Sequence, residues 1–174
     1  MPLTTTGSTL WSFDTSPWTP GAPVVSPSNG SPQTLYFGSW GTSVYALFTD
    51  KQDVRWNLTT GGQIDHAGVL SSDGSTFYIA SPNPNALYAF NTADGSVKWQ
   101  LPVGMSATGV LSANDETLFI SGGDQLHSIN TVKGSVRWTQ SFDSFSAAPG
   151  VLSRDERVLY IGNHDNSVFA GNTT

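Results

Sequence analysis

The sequence predicts an all-β fold built from four copies of one unit, and three observations support this prediction. A Gly-Val-Leu tripeptide begins at Gly68, Gly109 and Gly150, so its copies are 41 residues apart. Each copy contains short runs of β-branched and aromatic residues, bounded by Gly, Asn, Asp, Ser or Pro. No stretch shows the i, i+3, i+4 spacing of an amphipathic helix. Four short strands per unit of about 41 residues are typical of a β-propeller blade, so we predict a propeller of four-stranded antiparallel blades.

The repeated elements can be placed in register along the chain. An apolar triplet that we assign to the second strand of each unit begins at Leu35, Phe77, Leu118 and Leu159. The outer strand of three units carries a Val-x-Trp triplet. We therefore predict a single propeller domain with blades over residues 22–57, 66–100, 107–139 and 148–174, the last completed by residues 4–13.

The two ends of the chain carry complementary parts of one unit. The fourth copy stops before its closing Gly-x-x-x-Trp pattern, and Gly7 and Trp11 supply that pattern at the other end. Trp11 precedes Pro23 by 12 residues, as Trp56 precedes Gly68. We therefore expect the N-terminal segment to form the outer strand of the last blade. Because an unpaired strand edge invites aggregation, such sharing would close the ring by hydrogen bonding.

Composition limits the classes of partner. The net charge is −6, and the seven Lys and Arg residues are scattered along the sequence, which argues against a nucleic-acid partner. The absence of cysteine excludes disulfides, thiolate catalysis and cysteine metal sites. No segment has the length of a membrane span, and residues 1–5 show no signal-peptide core. The compartment stays open, with an extracellular, periplasmic or lumenal location compatible with a processed chain.

One repeated pattern resembles a known family. Residues 89–99 contain Ala89, Gly95 and Trp99, and this arrangement resembles the tryptophan-docking motif of pyrroloquinoline-quinone (PQQ)-type β-propeller repeats. Residues 128–138 form a second copy, residues 46–56 a degenerate third, and Ala170 joined to the N-terminal pattern a split fourth. In the motif the Gly permits a tight turn and the Trp packs flat between neighbouring blades. The resemblance implies these structural docking residues: Trp11, Trp56, Trp99, Trp138, Gly7, Gly95 and Gly134.

The size of the ring stays open at the level of sequence. The resemblance implies rings of about eight blades, and the chain has four copies. Two chains related by a two-fold axis could exchange termini to complete one eight-bladed ring. Alternatively, one chain closes as a four-bladed ring, or the chain is a fragment of a larger propeller. We favour the two-chain ring, and hence a homodimer, because the docking motif is that of wide rings.

The resemblance also frames the choice between enzyme and scaffold. The resembled class includes PQQ-dependent dehydrogenases, which hold quinone and Ca²⁺ at the ring centre and commonly carry a vicinal disulfide. This chain has no cysteine and cannot form that disulfide. The acidic pairs at residues 115–116 and 155–156 are expected to be solvated turns rather than a Ca²⁺ cage. We therefore predict no catalytic residue, cofactor or metal, and a non-catalytic scaffold with protein partners. The alternative is a degenerate PQQ- or sugar-handling enzyme domain.

The candidate binding residues lie in the segments that join one blade to the next. These segments, residues 12–22, 57–67, 100–108 and 139–149, are expected to run toward the central channel. Adjacent residues of a strand point to opposite faces, so the neighbouring carboxylate and imidazole at residues 65 and 66 are not expected to act as an acid–base pair. The candidates are Trp18, Asp65, His66, Met105, Ser106, Asp143, Phe145 and Ser146.

Overall fold

The described part of the chain contains β-strands and no helix. The computed structural model describes residues 7–15, 17–28, 32–103, 108–143, 149–163 and 166–174. In this part, no helix of the length and apolarity needed to cross a membrane occurs. The strands in chain order are β1 (Val24–Val25), β2 (Thr34–Gly38), β3 (Ser43–Phe48), β4 (Val54–Thr59), β5 (Val69–Leu70), β6 (Thr76–Ser81), β7 (Ala86–Asn91), β8 (Val97–Leu101), β9 (Val110–Leu111), β10 (Thr117–Gly122), β11 (Gln125–Asn130), β12 (Ser135–Ser141), β13 (Val151–Leu152), β14 (Val158–Gly162) and β15 (Val168–Asn172).

The strands form four antiparallel sheets in which consecutive strands are neighbours. Sheet 1 contains β1–β4, sheet 2 contains β5–β8 and sheet 3 contains β9–β12. Sheet 4 contains β13, β14 and β15. The first strand of every sheet is two residues long. The sequence repeat is therefore expressed as a structural repeat, and among the described residues sheet 4 lacks the fourth strand of the other three.

Each four-stranded sheet has the same irregularity at the same place. The register between the third and fourth strands shifts after Ala46, Ala89 and Ser128, the residues that face the docking tryptophans. A bulge of this kind bends the strand and changes the direction of a side chain. The conserved position of the bulge within the repeat thus gives all three tryptophans the same orientation.

Consecutive sheets pack face to face, and this packing makes the hydrophobic core. Three apolar clusters lie between sheets 1 and 2, sheets 2 and 3, and sheets 3 and 4. In sheet 2, Phe77 and Phe90 face sheet 1, whereas Tyr78 and Leu87 face sheet 3. Because sheet 2 is covered on both faces, every residue of β6 is buried. The apolar triplets of the sequence are therefore continuous rather than alternating.

The repeated Gly and Trp residues contact each other across the sheet boundaries. The Trp56 indole Nε1 donates to the carbonyl oxygen of Thr92 at 2.9 Å, and its ring lies against Gly95. Gly95 has φ of +78°, and a Cβ there would come within 2.9 Å of the Trp56 ring. Gly134, with φ of +62°, stands in the same relation to Trp99. Glycine is thus required both for the turn and for the close approach of the indole.

The connections between strands alternate between the two ends of the sheets. We call one end the loop face; it contains the connections between consecutive sheets and the hairpins between the second and third strands. There Thr60 donates its backbone N–H to Thr42, and Trp40 to Trp18. We call the opposite end the turn face; it contains the remaining turns. Hydrogen bonds of this kind join described loops of neighbouring elements at both faces.

Two acidic turn residues connect neighbouring sheets. We expected Asp115 and Glu156 to lie in solvated turns. Instead, Asp115 Oδ2 accepts hydrogen bonds from the backbone N–H and the hydroxyl of Ser72, at 2.8 and 2.6 Å. Glu156 Oε1 accepts the backbone N–H of Ala113 at 2.6 Å. The expectation was incomplete because a positive φ, 58° and 59° respectively, turns each residue toward the preceding sheet.

The outer face of sheet 4 is uncovered. Val151, Tyr160 and Val168 are 62%, 40% and 72% exposed. Their counterparts in sheet 2 include Tyr78 and Leu87, which are buried against sheet 3. The same apolar positions therefore form a core between interior sheets and a solvent-exposed face at this end of the stack.

The N-terminal segment lies against sheet 1 rather than beside β15. Trp11 and Phe13 line a cavity of about 210 Å³ together with Leu35 and Leu47 of sheet 1. The ring of Phe13 meets that of Tyr45 at 5.9 Å, edge to face. Residues 7–13 form no strand, so the expected completion of the last blade is not made within the described part of one chain. The reason is geometric, since the uncovered face of sheet 4 shows that the two ends of the stack do not meet.

We predict that Trp56→Ala lowers the free energy of unfolding by about 3–5 kcal/mol. The substitution removes a buried indole and leaves the carbonyl oxygen of Thr92 without its donor. Urea denaturation of the wild type and the variant measures the change. The matched control is Trp18→Ala, at an exposed tryptophan whose edge-to-face contact with Trp40 should be worth about 0.5–1.5 kcal/mol, so it should cost clearly less than Trp56→Ala. A loss below about 1 kcal/mol for Trp56→Ala would contradict a docking role.

Candidate functional site

Two tryptophans that lie outside the repeated docking position meet on the loop face. Trp18 accepts the backbone N–H of Trp40 at 2.8 Å, and the two rings pack edge to face with centroids 4.9 Å apart. A hydrogen bond of 2.7 Å between the hydroxyls of Thr15 and Thr19 braces the loop that carries Trp18. The Trp18 side chain is 62% exposed. The pair therefore presents a supported aromatic surface to solvent, of the kind that anchors protein partners.

Trp18 was a candidate from its sequence position, whereas Trp40 had no predicted role. Trp40 occupies the hairpin between β2 and β3, where the corresponding positions in sheets 2 and 3 are Pro82 and Gly123. An aromatic residue confined to one repeat was the available signal. Its indole Nε1 is buried without a hydrogen-bond partner. Because a buried donor normally has a partner, this atom marks a position at which a further acceptor would be favourable.

Asp65 and His66 lie on the connection between sheets 1 and 2, beside the Trp18 loop. Ile64, the preceding residue, donates its backbone N–H to Ser39 at 3.3 Å, which fixes this connection to the hairpin of sheet 1. A Cβ on Gly21 would lie 2.5 Å from the carbonyl group of His66, so the two loops are in close contact. Asp65 Oδ1 is buried without a hydrogen-bond partner. The structure thus brings three sequence candidates to one part of the loop face.

The electrostatic state of His66 follows from its surroundings. Burial lowers the pKa of His66, and the smaller opposing influence of the Asp65 carboxylate raises it. The imidazole is therefore neutral near pH 7, since its ordinary pKa is already close to 6.5. With a neutral imidazole, the formal negative charge of the pair comes from Asp65 alone.

The remaining candidates are distributed differently. Asp143 follows β12 and borders a cavity of about 370 Å³ whose wall includes Asn163 and Phe169. Gly7 is exposed, with open space around its Cα. Trp138 donates its indole N–H to the carbonyl oxygen of Thr173 at 3.3 Å. Four candidates fall outside the described residues, namely Met105, Ser106, Phe145 and Ser146.

Charged residues are segregated between the two faces. The basic residues look scattered in the sequence, but all seven lie on the turn face or at the strand ends beside it. Lys98 and Arg137 illustrate this, because both donate to turn-face residues, Lys98 to Thr76 Oγ1 at 2.6 Å and Arg137 to the Glu116 carbonyl at 3.2 Å. The full set is Lys51, Arg55, Lys98, Lys133, Arg137, Arg154 and Arg157.

The acidic residues are not confined in this way. Those of the turn face nearly balance the seven basic residues there: Asp50, Asp53, Asp73, Asp94, Asp115, Glu116, Asp155 and Glu156. The loop face carries four more in the described part of the chain: Asp14, Asp65, Asp124 and Asp143. Most of the net charge of −6 is therefore located on the loop face, which also carries Trp18.

The acidic residues do not fit a quinone-type Ca²⁺ centre. Over the residues that the structure describes, no three His, Asp or Glu side chains are grouped so that they could hold a metal ion. Ca²⁺ requires six to eight oxygen ligands. The carboxylates of Asp115 and Glu156 are instead occupied by hydrogen bonds that join neighbouring sheets.

A stack of antiparallel sheets with short inner strands and inter-sheet tryptophans defines the PQQ-like β-propeller class. The family model described as outer membrane protein assembly factor BamB matches residues 3–117 and 102–174. The chain therefore belongs to this PQQ-like propeller family.

Two individual proteins illustrate the relationship. The crystal structure of BamB from Moraxella catarrhalis superposes with a TM-score of 0.73 and 16% identity, over 92% of this chain and 48% of that one. Protein Rv3035 of Mycobacterium tuberculosis is 42% identical over 55 residues, which is 32% of this chain and 13% of that protein. The chain thus spans about half of the BamB structure and a smaller part of Protein Rv3035.

We predict that Asp65→Asn lowers the pKa of His66 below its value in the wild type. The substitution removes the negative charge that raises this pKa and leaves the effect of burial. NMR titration of the imidazole signals measures both values. His127, which is buried in β11 beside Thr139, is the internal control and should titrate unchanged. A raised or unaltered pKa of His66 would contradict the proposed electrostatic contact.

Proposed function

We propose that the chain is a non-catalytic interaction scaffold that binds a protein partner through its loop face and the adjoining mouth of the central channel. The observation that carries this proposal is the exposed Trp18, which is supported by Trp40 and surrounded by loops that are hydrogen-bonded to each other. Exposed tryptophans held in a fixed orientation bind partners with a small loss of conformational entropy. The matched family is described as an assembly factor, a role that a binding surface can perform without catalytic groups.

The charge distribution favours a partner with a basic surface. The described loop face carries four carboxylates, and the basic residues are at the opposite end of the sheets. At physiological ionic strength the screening length is about 8 Å, so a partner that approaches the loop face is little influenced by the distant cations. Acidic faces increase the association rate of basic partners, and an exposed indole adds a cation–π contact with Lys or Arg.

We propose in addition that the chain acts as a homodimer in which two copies complete an eight-bladed ring. The uncovered outer face of sheet 4 supports this proposal, because its exposed residues have buried counterparts in the interior sheets. In such a ring two loop faces lie side by side around one channel, which doubles the surface that a partner can contact.

We predict that a nona-arginine peptide binds the protein at low salt and that nona-glutamate does not. The double variant Asp65→Asn/Asp143→Asn should weaken nona-arginine binding roughly 5-fold or more, because two nearby charges contribute about 1 kcal/mol or more in water. Calorimetric titration measures binding, and tryptophan-fluorescence quenching that is lost in Trp18→Phe locates it at Trp18, one of six tryptophans.

The matched control makes the same change in net charge on the turn face, with Asp50→Asn/Glu116→Gln. It should change the affinity less than 2-fold, on the order expected for charges beyond the screening length. Equal weakening by both double variants would show general attraction to an acidic protein and contradict a loop-face site. A copurifying quinone, or a rise in Tm with Ca²⁺, would contradict the non-catalytic assignment and favour the degenerate enzyme.

A further inference from the structure

The edge of β15 is the position at which sheet 4 differs from the other sheets. In sheets 1, 2 and 3 the third strand pairs on its far side with β4, β8 and β12. Within the described chain, β15 pairs with β14 alone. An open edge with free backbone donors and acceptors accepts another strand readily, and natural proteins usually protect it.

The face beside this edge is apolar and matches a face elsewhere in the same chain. Tyr160 and Val168 are exposed, and the equivalent residues of sheet 3, Phe119 and Leu126, are packed in the cluster between sheets 3 and 4. At each boundary between sheets, such residues pack on the near face of the following sheet. The equivalent face of sheet 1 is the one that contains Leu47. The four sheets thus end in an apolar face at Tyr160 and Val168. They begin with the kind of face on which such residues pack, which contains Leu47 and is called the receiving face.

The segment that would complete β15 is already docked on that receiving face. Trp11 and Leu47 line one cavity of about 210 Å³. Phe90, the counterpart of Leu47, lies beside Trp56 with ring centroids 6.3 Å apart. In each complete sheet the fourth strand pairs with the third strand of the same sheet, and its indole packs on the following sheet. In residues 7–13 the second of these two interactions is present, whereas no strand pairing occurs.

We propose that residues 8–13 of a second copy of this chain add to β15 as an antiparallel strand, with Trp11 opposite Ala170. The proposal rests on the proposed two-copy ring and names the contact that holds it together. A two-fold axis makes both closures at once, because the end of each stack then meets the beginning of the other. The edge site is incomplete without the partner copy, which contributes the fourth strand.

The register follows from the three complete sheets. The docking tryptophan is opposite the residue just before the bulge in each of them: Trp56 opposite Ala46, Trp99 opposite Ala89 and Trp138 opposite Ser128. Ala170 is the equivalent residue of β15. After the bulge, sheet 3 pairs Ser135 with Asn130, so the same register places Ser8 opposite Asn172.

A cysteine cross-link tests this register, and the absence of natural cysteine makes the test clean. Paired residues of antiparallel strands have Cα atoms about 4.5–5.5 Å apart, within the range of a disulfide. We expect Ser8→Cys chains refolded together with Asn172→Cys chains to form a covalent dimer on mild oxidation. Both positions are exposed polar residues, so the substitutions should leave the fold intact.

The matched control combines Ser8→Cys with Val168→Cys, a position on the same strand but about 13 Å from the predicted partner. No cross-link should form with this pair. Equal cross-linking of both pairs, or of neither, would overturn the proposal. A chain that carries both Ser8→Cys and Asn172→Cys and cross-links within a monomer would also overturn it, in favour of a ring closed by one chain.

The light-scattering mass of the same samples separates this proposal from those it rests on. A dimer whose cysteines at positions 8 and 172 do not join would exclude the strand exchange and leave the two-copy ring. A cross-linked dimer that does not bind nona-arginine would keep the strand exchange and exclude the basic partner. Each proposal can therefore fail by itself.

Discussion

The face-to-face contact between consecutive sheets is the interaction on which the rest of the structure depends. Each interior sheet packs one apolar face on the sheet before it and the other on the sheet after it. A tryptophan such as Trp56 covers the boundary by lying on Gly95. A single sheet of this kind cannot bury both faces. Stability therefore comes from the boundaries rather than from the separate sheets, as in other repeat proteins.

This dependence determines what happens at the two ends of the stack. The receiving face of sheet 1 is partly covered by the N-terminal segment, and the opposite face of sheet 4 is not covered. The end faces of sheets 1 and 4 have the same apolar composition as the buried faces, so an apolar surface is left exposed at sheet 4. The loop face is a consequence of the same arrangement, since regular stacking places the loops of all the sheets at one end and gives them a common orientation.

The repeat made much of the fold predictable, because spacing, turn residues and docking tryptophans all recur. The family was also identified from these residues. The arrangement of the ends was not predictable in the same way, because Trp11 has the correct sequence pattern for a fourth strand and yet packs on sheet 1. Trp18, Asp65 and His66 were named as candidates from the sequence, but Trp40 was not, since its contact with Trp18 is made only in three dimensions. The grouping of the basic residues on the turn face could not be predicted from their order in the sequence, because they come from all four repeats.

Light scattering tests the two-copy ring most directly, through the solution mass of the 174-residue chain and of a chain that lacks residues 1–13. We expect the 174-residue chain to have twice its own mass of 18.5 kDa, and the truncated protein to dissociate or aggregate because its strand edges lose their partner. A 174-residue chain that is a compact, stable monomer would contradict the proposal that a second copy completes the exposed face of sheet 4.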